Sequence, residues 1–282
     1  MRTHEWIRVS RDRPCRVCGK PDWCTFTADG KLACCMRQQS EKPMANGGWA
    51  HRLAADRAAA REGRPIRKKP EVPRRGPDQI FALHRRWADR TSPGAVEGLA
   101  AGLGVSAASL LLLGAAWATE QRAWAFPMFD AHRQMIGIRL RSSSGRKWAV
   151  RGSKAGLFWP DGVPAEMRSE IVICEGPTDA AAILDLGFDA IGRPSCSGGA
   201  DLIAALLAED SKDVIILADA DGPGLSGAKR LAKDLLKVAR SVRIIRPHRG
   251  KDARDWIASG VTHDQVATVI RNARLVRRKQ RA

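Results

Sequence analysis

Three short apolar runs, Ile171–Cys174, Val214–Ala218 and Val242–Ile245, each lead into a loop carrying carboxylates and then into a helical segment. This rhythm limits the possible folds more than any other feature of the chain. Continuous apolar strands that alternate with helices are buried on both faces, so they belong in a parallel sheet with helices on either side. In such sheets functional groups gather at the carboxyl ends of the strands. The acids stand there. Glu175 follows the first run, with Asp179 four residues on; Asp219-Ala220-Asp221-Gly222 follows the second; Lys251-Asp252-Ala253-Arg254-Asp255 follows the third.

A set of carboxylates brought together from three strand ends is hard and oxygen-rich, which suits Mg²⁺ or Mn²⁺. Such ions neutralise phosphate and stabilise the attacking and leaving oxygens of a phosphoryl transfer. Gly222, Gly224 and Gly227 allow close backbone approach by a phosphate. Each signal alone has a plainer reading. Asp179 by itself reads equally well as a helix N-cap, and Asp219 with Asp221 alone fits a haloacid-dehalogenase-type phosphatase motif or a ribose contact.

Five of the seven cysteines fall between Cys15 and Cys35, while Cys174 and Cys196 stand alone in apolar surroundings. The opening MRTHEWIRVSRDR has no apolar run, so the expectation is no secretory signal and a reducing, cytoplasmic setting. Clustered thiols then read as a metal site rather than a disulfide framework. Cys15-Arg16-Val17-Cys18-Gly19-Lys20 forms a tight knuckle, and a tetrahedral zinc ion takes four soft ligands. The expected set is Cys15, Cys18, Cys24 and Cys35, with Cys34 the alternative to Cys35.

The chain carries 48 Lys and Arg against 30 Asp and Glu, a net charge of +18. Residues 1–50 hold +4 of this, 51–90 hold +7, 91–270 only +1 and 271–282 the last +6. Basic arms on a balanced body suit a polyanion gripped through its phosphates, nucleic acid first and an anionic membrane second. Solubility alone is the bland alternative. Residues 1–50 read as a compact module and 51–77 as a basic linker, in which 51–63 has helical composition and 64–77 is Pro-rich. Residues 78–90 read as a helix. The stretch from Gly98 to Ala118 is uncharged for 21 residues, enough to raise a membrane span. Its Ala and Gly content, with stops at Gly104 and Ser106, predicts two short packed helices instead.

Trp124–Phe129, Met135–Arg141 and Lys147–Arg151 alternate like strands of a small antiparallel sheet. Arg139, Arg141, Lys147, Arg151 and Lys154 are expected to line one basic, nucleic-acid-binding surface, with Trp148 available for stacking. An ordinary solvated sheet face is the plainer reading of the same pattern.

The ordered set of Glu, then D-x-D, then K-D, each behind an apolar strand, resembles the TOPRIM fold of bacterial-type primases, topoisomerases and some nucleases over roughly residues 170–260. The resemblance implies Glu175 as a metal ligand or acid/base group and Asp219, Asp221 and Asp252 as magnesium ligands. Asp179 and Asp255 join the catalytic set by the same resemblance, although Asp255 lies three residues after Asp252 rather than two as in the D-P-D form of many bacterial primases. The stretch C-x-x-C-G-K-P-D-W-C followed by D-G-K-L-A-C-C is similar to the N-terminal zinc segment of phage- and plasmid-type primases, which favours Cys35. FPMFDAHRQMIGIRLRSSSGRKWAVRGSKAGLFWP is similar to the segment before TOPRIM in such proteins.

The implied fold class is α/β: a small zinc-binding module (1–50), a basic linker (51–77), then a primase-type core. That core comprises a small mixed α+β subdomain (78–168) and a TOPRIM parallel α/β sheet (169–265), followed by a basic tail (266–282). The implied activity is that of a DNA primase, a nucleotidyltransferase making short RNA primers on single-stranded DNA from nucleoside triphosphates. One structural Zn²⁺ and catalytic Mg²⁺ or Mn²⁺ are the implied cofactors, and a phage or mobile element is a natural setting. The alternative is a non-catalytic zinc/TOPRIM DNA-binding accessory protein of recombination or replication. Two exclusions follow directly. The residues given contain no Tyr, which excludes a phosphotyrosine formed on them; they also contain no G-x-x-x-x-G-K-[ST] loop, so a replicative helicase is expected as a separate partner.

Overall fold

A computed structural model describes residues 5–45, 47–53, 73–160 and 169–277. The chain divides into two compact units, 1–71 and 72–282. The helical composition at 51–63 falls mostly, and the basic end at 278–282 wholly, outside the described residues.

In the first unit four short strands, β1 (Trp6–Arg8), β2 (Thr25–Thr27), β3 (Leu32–Cys35) and β4 (Trp49–Arg52), pair antiparallel in chain order. Leu32 pairs with Arg52, so the sheet runs slightly past the expected end of the module at residue 50. Between β1 and β2 the knuckle closes on itself: Gly19 N–H donates to Cys15 O at 2.7 Å and Cys15 N–H to Lys20 O at 2.9 Å. Gly19 sits at φ +69°, a left-handed conformation that glycine adopts without strain. A unit this small has little apolar matter. Its core is Val9, Phe26 and Ala33 packed with Cys15, Cys24 and Cys35.

The second unit begins with α1 (Pro77–Ala88), α2 (Pro93–Leu103) and α3 (Ala107–Leu112). The two helices expected within the uncharged stretch are therefore present, the first of them starting earlier. Ser92 and Ser106 cap their N-termini through the side chain, and Gly104 ends α2 at φ +69°. Among the described residues no helix is long and apolar enough to cross a membrane. An antiparallel sheet follows, β5 (Ala116–Ala118), β6 (Ala123–Phe129), β7 (Met135–Arg141) and β8 (Lys147–Ala149), paired in chain order. Its alternation sorts two faces. Ala123, Ala125, Ile138 and Leu140 pack with Ile80 and Trp87 of α1, whereas Trp124 and Phe126 join the core of the parallel sheet.

That parallel sheet is built from β9 (Glu170–Cys174), β10 (Ala190–Gly192), β11 (Asp213–Leu217) and β12 (Ser241–Ile245) in the order β10-β9-β11-β12. Val172, Cys174, Ile215 and Leu217 face α4 (Pro177–Asp185), α7 (Ala253–Ala258) and α8 (His263–Asn272). Ile171, Ile173, Val214, Ile216 and Val242 face α5 (Ala200–Glu209) and α6 (Gly222–Leu235). Burial on both faces is why these strands read as unbroken apolar runs. The extended pair Leu157-Phe158 links the two sheets: Leu157 bridges Phe129 of β6 and Phe158 bridges Gly192 of β10. A Cβ at Gly192 would lie 2.5 Å from Gly176 O, so only glycine fits this crossing beside the β9 strand end.

Contrary to expectation, the segment 266–282 does not start as a free basic tail. It begins inside α8, where Val266 and Ile270 are buried, and beyond it Val276 N–H donates to Val242 O of β12 at 2.8 Å. The signal was the T-x-x-Q capping box of Thr262 and Gln265.

Candidate active site

Each predicted acid sits between a strand of the parallel sheet and the first turn of the helix that follows it. Glu175 directly follows β9. Its Oε1 accepts from Arg193 Nη2 at 3.1 Å, and the Arg193 side chain is only 2% exposed. Arg193 enters from the end of β10, the edge strand. Burial raises the Glu175 pKa, and Arg193 opposes that rise while nearby Asp221 adds to it.

Asp179 lies in the first turn of α4 and is buried. Burial and the charge of Asp252 push it up to about 6, with Arg254 and Lys147 pulling the other way. Asp219 follows β11. Burial, then Glu175, Asp179, Asp252 and Asp221, raise it to about 7. Four other carboxylates acting on one acid mean that the strand ends converge electrostatically. Asp221 caps α6, its Oδ1 accepting from Gly224 N–H at 2.7 Å.

Asp252 caps α7. Its Oδ1 accepts from Asp255 N–H at 3.0 Å and its Oδ2 from Arg254 Nη2 at 3.0 Å. Asp255 turns toward its own loop, with Oδ2 accepting from Lys251 N–H at 3.1 Å. These carboxylates form a hard-donor crevice that fits a divalent cation chemically. They are not drawn into a single tight cage: among the described residues, the group with three or more donors within 4.8 Å of one another is made of cysteines. Mg²⁺ does not demand such a cage, because it is commonly held by one or two carboxylates with substrate phosphates and water completing the shell.

Two of the five predicted basic residues, Arg141 and Lys147, feel the acids of this crevice, and Arg139 shares their face of the sheet. Arg139 and Arg141 alternate on β7, and the register pairs Arg141 with Lys147. Desolvation lowers the pKa of all three, while Asp179 and Asp252 act on Arg141, and Asp179 and Asp219 on Lys147, in the opposite sense. Arg139 Nη2 also reaches Pro194 O at 3.5 Å, beside Arg193. Arg151 and Lys154 lie beyond β8, and Lys154 lines a separate cavity of about 410 Å³ with Asp130, Ile136, Gly199 and Asp201. Trp148 does not join the basic face. Neighbouring strand residues point to opposite sides of a sheet, so Trp148 pairs with Leu140 and packs on the α1 side.

The cysteine reading places four thiols together. The sulfurs of Cys15, Cys18, Cys24 and Cys35 all lie within 4.8 Å of one another, with Cys18–Cys24 at 3.8 Å and Cys24–Cys35 at 3.9 Å. Tetrahedral ligands at a Zn–S distance of about 2.3 Å stand roughly 3.8 Å apart, so the set fits zinc. Backbone N–H groups already point at the sulfurs: Met36 donates to Cys24 Sγ at 3.4 Å, and Gln38 to Cys35 Sγ at 3.3 Å. Burial raises Cys24 to about 12, and its neighbour thiols add to that rise. At Cys18 burial acts upward too, but the Lys20 N–H and the surrounding thiols hold it at about 7. Cys34 is buried on the neighbouring strand position, outside the four.

Two residues of the crevice carry no sign of their role in the sequence. Arg193 follows a strand of only three residues and carries no motif. Arg254 was visible in K-D-A-R-D, but its tie to Asp179 spans 75 positions.

The fold is similar to that of known proteins. Residues 170–261 match the Toprim domain family. The DnaG catalytic core is similar at 15% identity and a TM-score of 0.57, covering 71% of this chain and 80% of that one. The Escherichia coli primase catalytic core is similar at 14% identity and a TM-score of 0.56, covering 71% and 80%. A structure of the Aquifex aeolicus primase (zinc binding and RNA polymerase domains) gives 14% and 0.56, covering 72% of this chain and 63% of that one. Curated protein sequences give no match. The second unit thus contains a Toprim domain within the fold of a bacterial-type primase core, and the first unit carries a four-cysteine cluster of metal-binding kind.

Proposed function

We propose that this protein is a DNA primase, a metal-dependent nucleotidyltransferase that makes short RNA primers on single-stranded DNA from nucleoside triphosphates. The observation that carries this reading is the meeting of two faces: strand-end carboxylates on the Toprim sheet and the Arg139, Arg141 and Lys147 face of the antiparallel sheet. Polymerisation needs both, since the acids recruit divalent cations and the basic face takes the phosphates of nucleotide and template.

Glu175, Asp219 and Asp221 would hold Mg²⁺ or Mn²⁺, which supplies charge neutralisation at the triphosphate and polarises the α-phosphorus. Arg193 fixes one oxygen of Glu175, Oε1, and so orients the carboxylate at the end of β9. Arg141 and Lys147 are set to orient the triphosphate, placing its α-phosphorus for attack by the primer 3′-hydroxyl, with pyrophosphate departing. Holding both reactants on rigid strand ends supplies the proximity that such a transfer requires.

The first unit is assigned to the template. Zn²⁺ on Cys15, Cys18, Cys24 and Cys35 would fix its knuckle. Beside it Trp23 stands 74% exposed, at φ +67°, with the Arg37 guanidinium 5.3 Å from its ring. An exposed indole beside an arginine is a stacking platform for an unpaired base. A separate replicative helicase remains the proposed partner.

The test is incorporation of labelled ribonucleotides on circular single-stranded DNA, with and without Mg²⁺ or Mn²⁺. Template-dependent products that require the divalent ion are expected. Tight template binding with no product under any metal would favour the accessory-protein reading instead.

A further inference from the structure

The buried acids fall into two groups according to what faces them. Asp219 is surrounded by other carboxylates, and its own side chain makes no hydrogen bond among the described residues. Asp179 and Asp252 share one guanidinium. Arg254 Nε lies 3.4 Å from Asp179 Oδ1, and Arg254 Nη2 lies 3.0 Å from Asp252 Oδ2. The two carboxylates are 6% and 7% exposed and come from different helices, the first turn of α4 and the cap of α7. Asp252 is doubly engaged, because its other oxygen holds the Asp255 N–H. Each of its oxygens thus already has a partner, one a cation and the other a helix N-terminus.

A guanidinium is charged at every physiological pH and its planar fork matches carboxylates. It does between Asp179 and Asp252 what a bridging divalent ion would do: it neutralises two buried acids and joins two elements. A divalent ion at about 2.1 Å from the same oxygens would stand against the Arg254 guanidinium, 3.0 Å from Asp252 Oδ2 and 3.4 Å from Asp179 Oδ1, and meet its like charge. Resting on the divalent-ion role proposed for Glu175, Asp219 and Asp221, we infer that Arg254 is a resident cation that replaces a metal ion between Asp179 and Asp252. Divalent ions are thereby confined to the Glu175/Asp219/Asp221 side of the crevice, and Asp252, expected from sequence to be a magnesium ligand, is a positioning residue that sets α7 and Arg254.

The assignment is tested by counting Mn²⁺ bound to the full-length, zinc-loaded protein, using electron paramagnetic resonance of the free ion. Asp219→Asn should weaken Mn²⁺ binding at least about tenfold, the scale for losing even an outer-shell partner. Asp252→Asn, which keeps a capping side chain, should leave the number of bound ions unchanged and the affinity within about threefold of wild type, short of that scale. Arg254→Ala should unfold at lower temperature without metal, bind one additional Mn²⁺, and regain stability as that ion binds. Loss of an ion in Asp252→Asn, as in Asp219→Asn, would overturn the assignment, and so would a folded Arg254→Ala that gains none. Mn²⁺ binding indifferent to Asp219→Asn would overturn the divalent-ion reading of the whole crevice, and the Arg254 assignment with it.

Discussion

Arg193 and Glu175 form a buried ion pair at the end of the parallel sheet, 3.1 Å apart, with side chains 2% and 11% exposed. The two residues come from neighbouring strands, β10 and β9, so the pair holds an edge strand to the strand carrying the crevice glutamate. Removing one member of such a pair leaves an uncompensated buried charge and typically costs about 3–5 kcal/mol. Arg193→Ala should therefore lose stability on that scale in urea unfolding, and Glu175→Gln in the same background should return part of it. A loss below about 1 kcal/mol, the range of exposed pairs, would show that the pair does not hold the edge strand.

The cysteine set makes an equally sharp distinction. Cys→Ser at 15, 18, 24 or 35 should remove about one equivalent of zinc from the purified protein, because a structural site closes on four ligands. Cys34→Ser should keep it, since that thiol lies outside the four. Zinc lost equally from the Cys34 variant would mean that the adjacent cysteines exchange roles.

Trp23 should matter to single-stranded DNA and not to zinc. Stacking one base on an aromatic side chain is worth about 1–3 kcal/mol by alanine substitution. Fluorescence anisotropy with a labelled oligonucleotide should show a weakening of that size in Trp23→Ala, with zinc content unchanged and most affinity kept in Trp23→Phe. Equal affinity in wild type and Trp23→Ala would remove Trp23 from the template surface.

His84 gives the fold a pH dependence of its own. It is buried against the turn that follows α3, with Nε2 2.8 Å from Gly114 O, and burial lowers its pKa below 6.5 despite that hydrogen bond. The unfolded chain therefore binds the proton more readily than the folded one. The contribution to stability is fully present above about pH 6.5 and is lost as pH falls below it. Urea midpoints between pH 8 and pH 5 should fall more steeply for the wild type than for His84→Gln. Parallel profiles would assign the acid sensitivity to other groups.

Much of this was legible in the sequence because the chemistry and the folding signal coincide. Glu175 and Asp219 directly end apolar runs, and Asp252 follows a third after a short basic loop, so finding the strand finds the acid. The thiols can be counted and spaced, and the D-G-K-L-A-C-C stretch favours Cys35 with Cys34 as the alternative; the geometry places Cys35 with Cys15, Cys18 and Cys24. What escaped depends on distance in space. β10 is three residues long and includes Gly192, too short for any periodicity to register. Its Arg193 acquires meaning only once it lies beside β9. Arg254 was on view, but nothing local says that it reaches back to Asp179. The side of Trp148 could have been read: it neighbours Lys147 in a strand, so the two cannot share a face.

The central claim is that acids from separate strand ends act together on a nucleotide in one crevice. The most direct measurement compares wild type and Asp219→Ala in template-dependent ribonucleotide incorporation, with single-stranded DNA binding measured on the same preparations. Products from the wild type, their disappearance in the variant and undiminished DNA binding are expected. Equal synthesis by Asp219→Ala would contradict the claim and place the chemistry elsewhere in the chain.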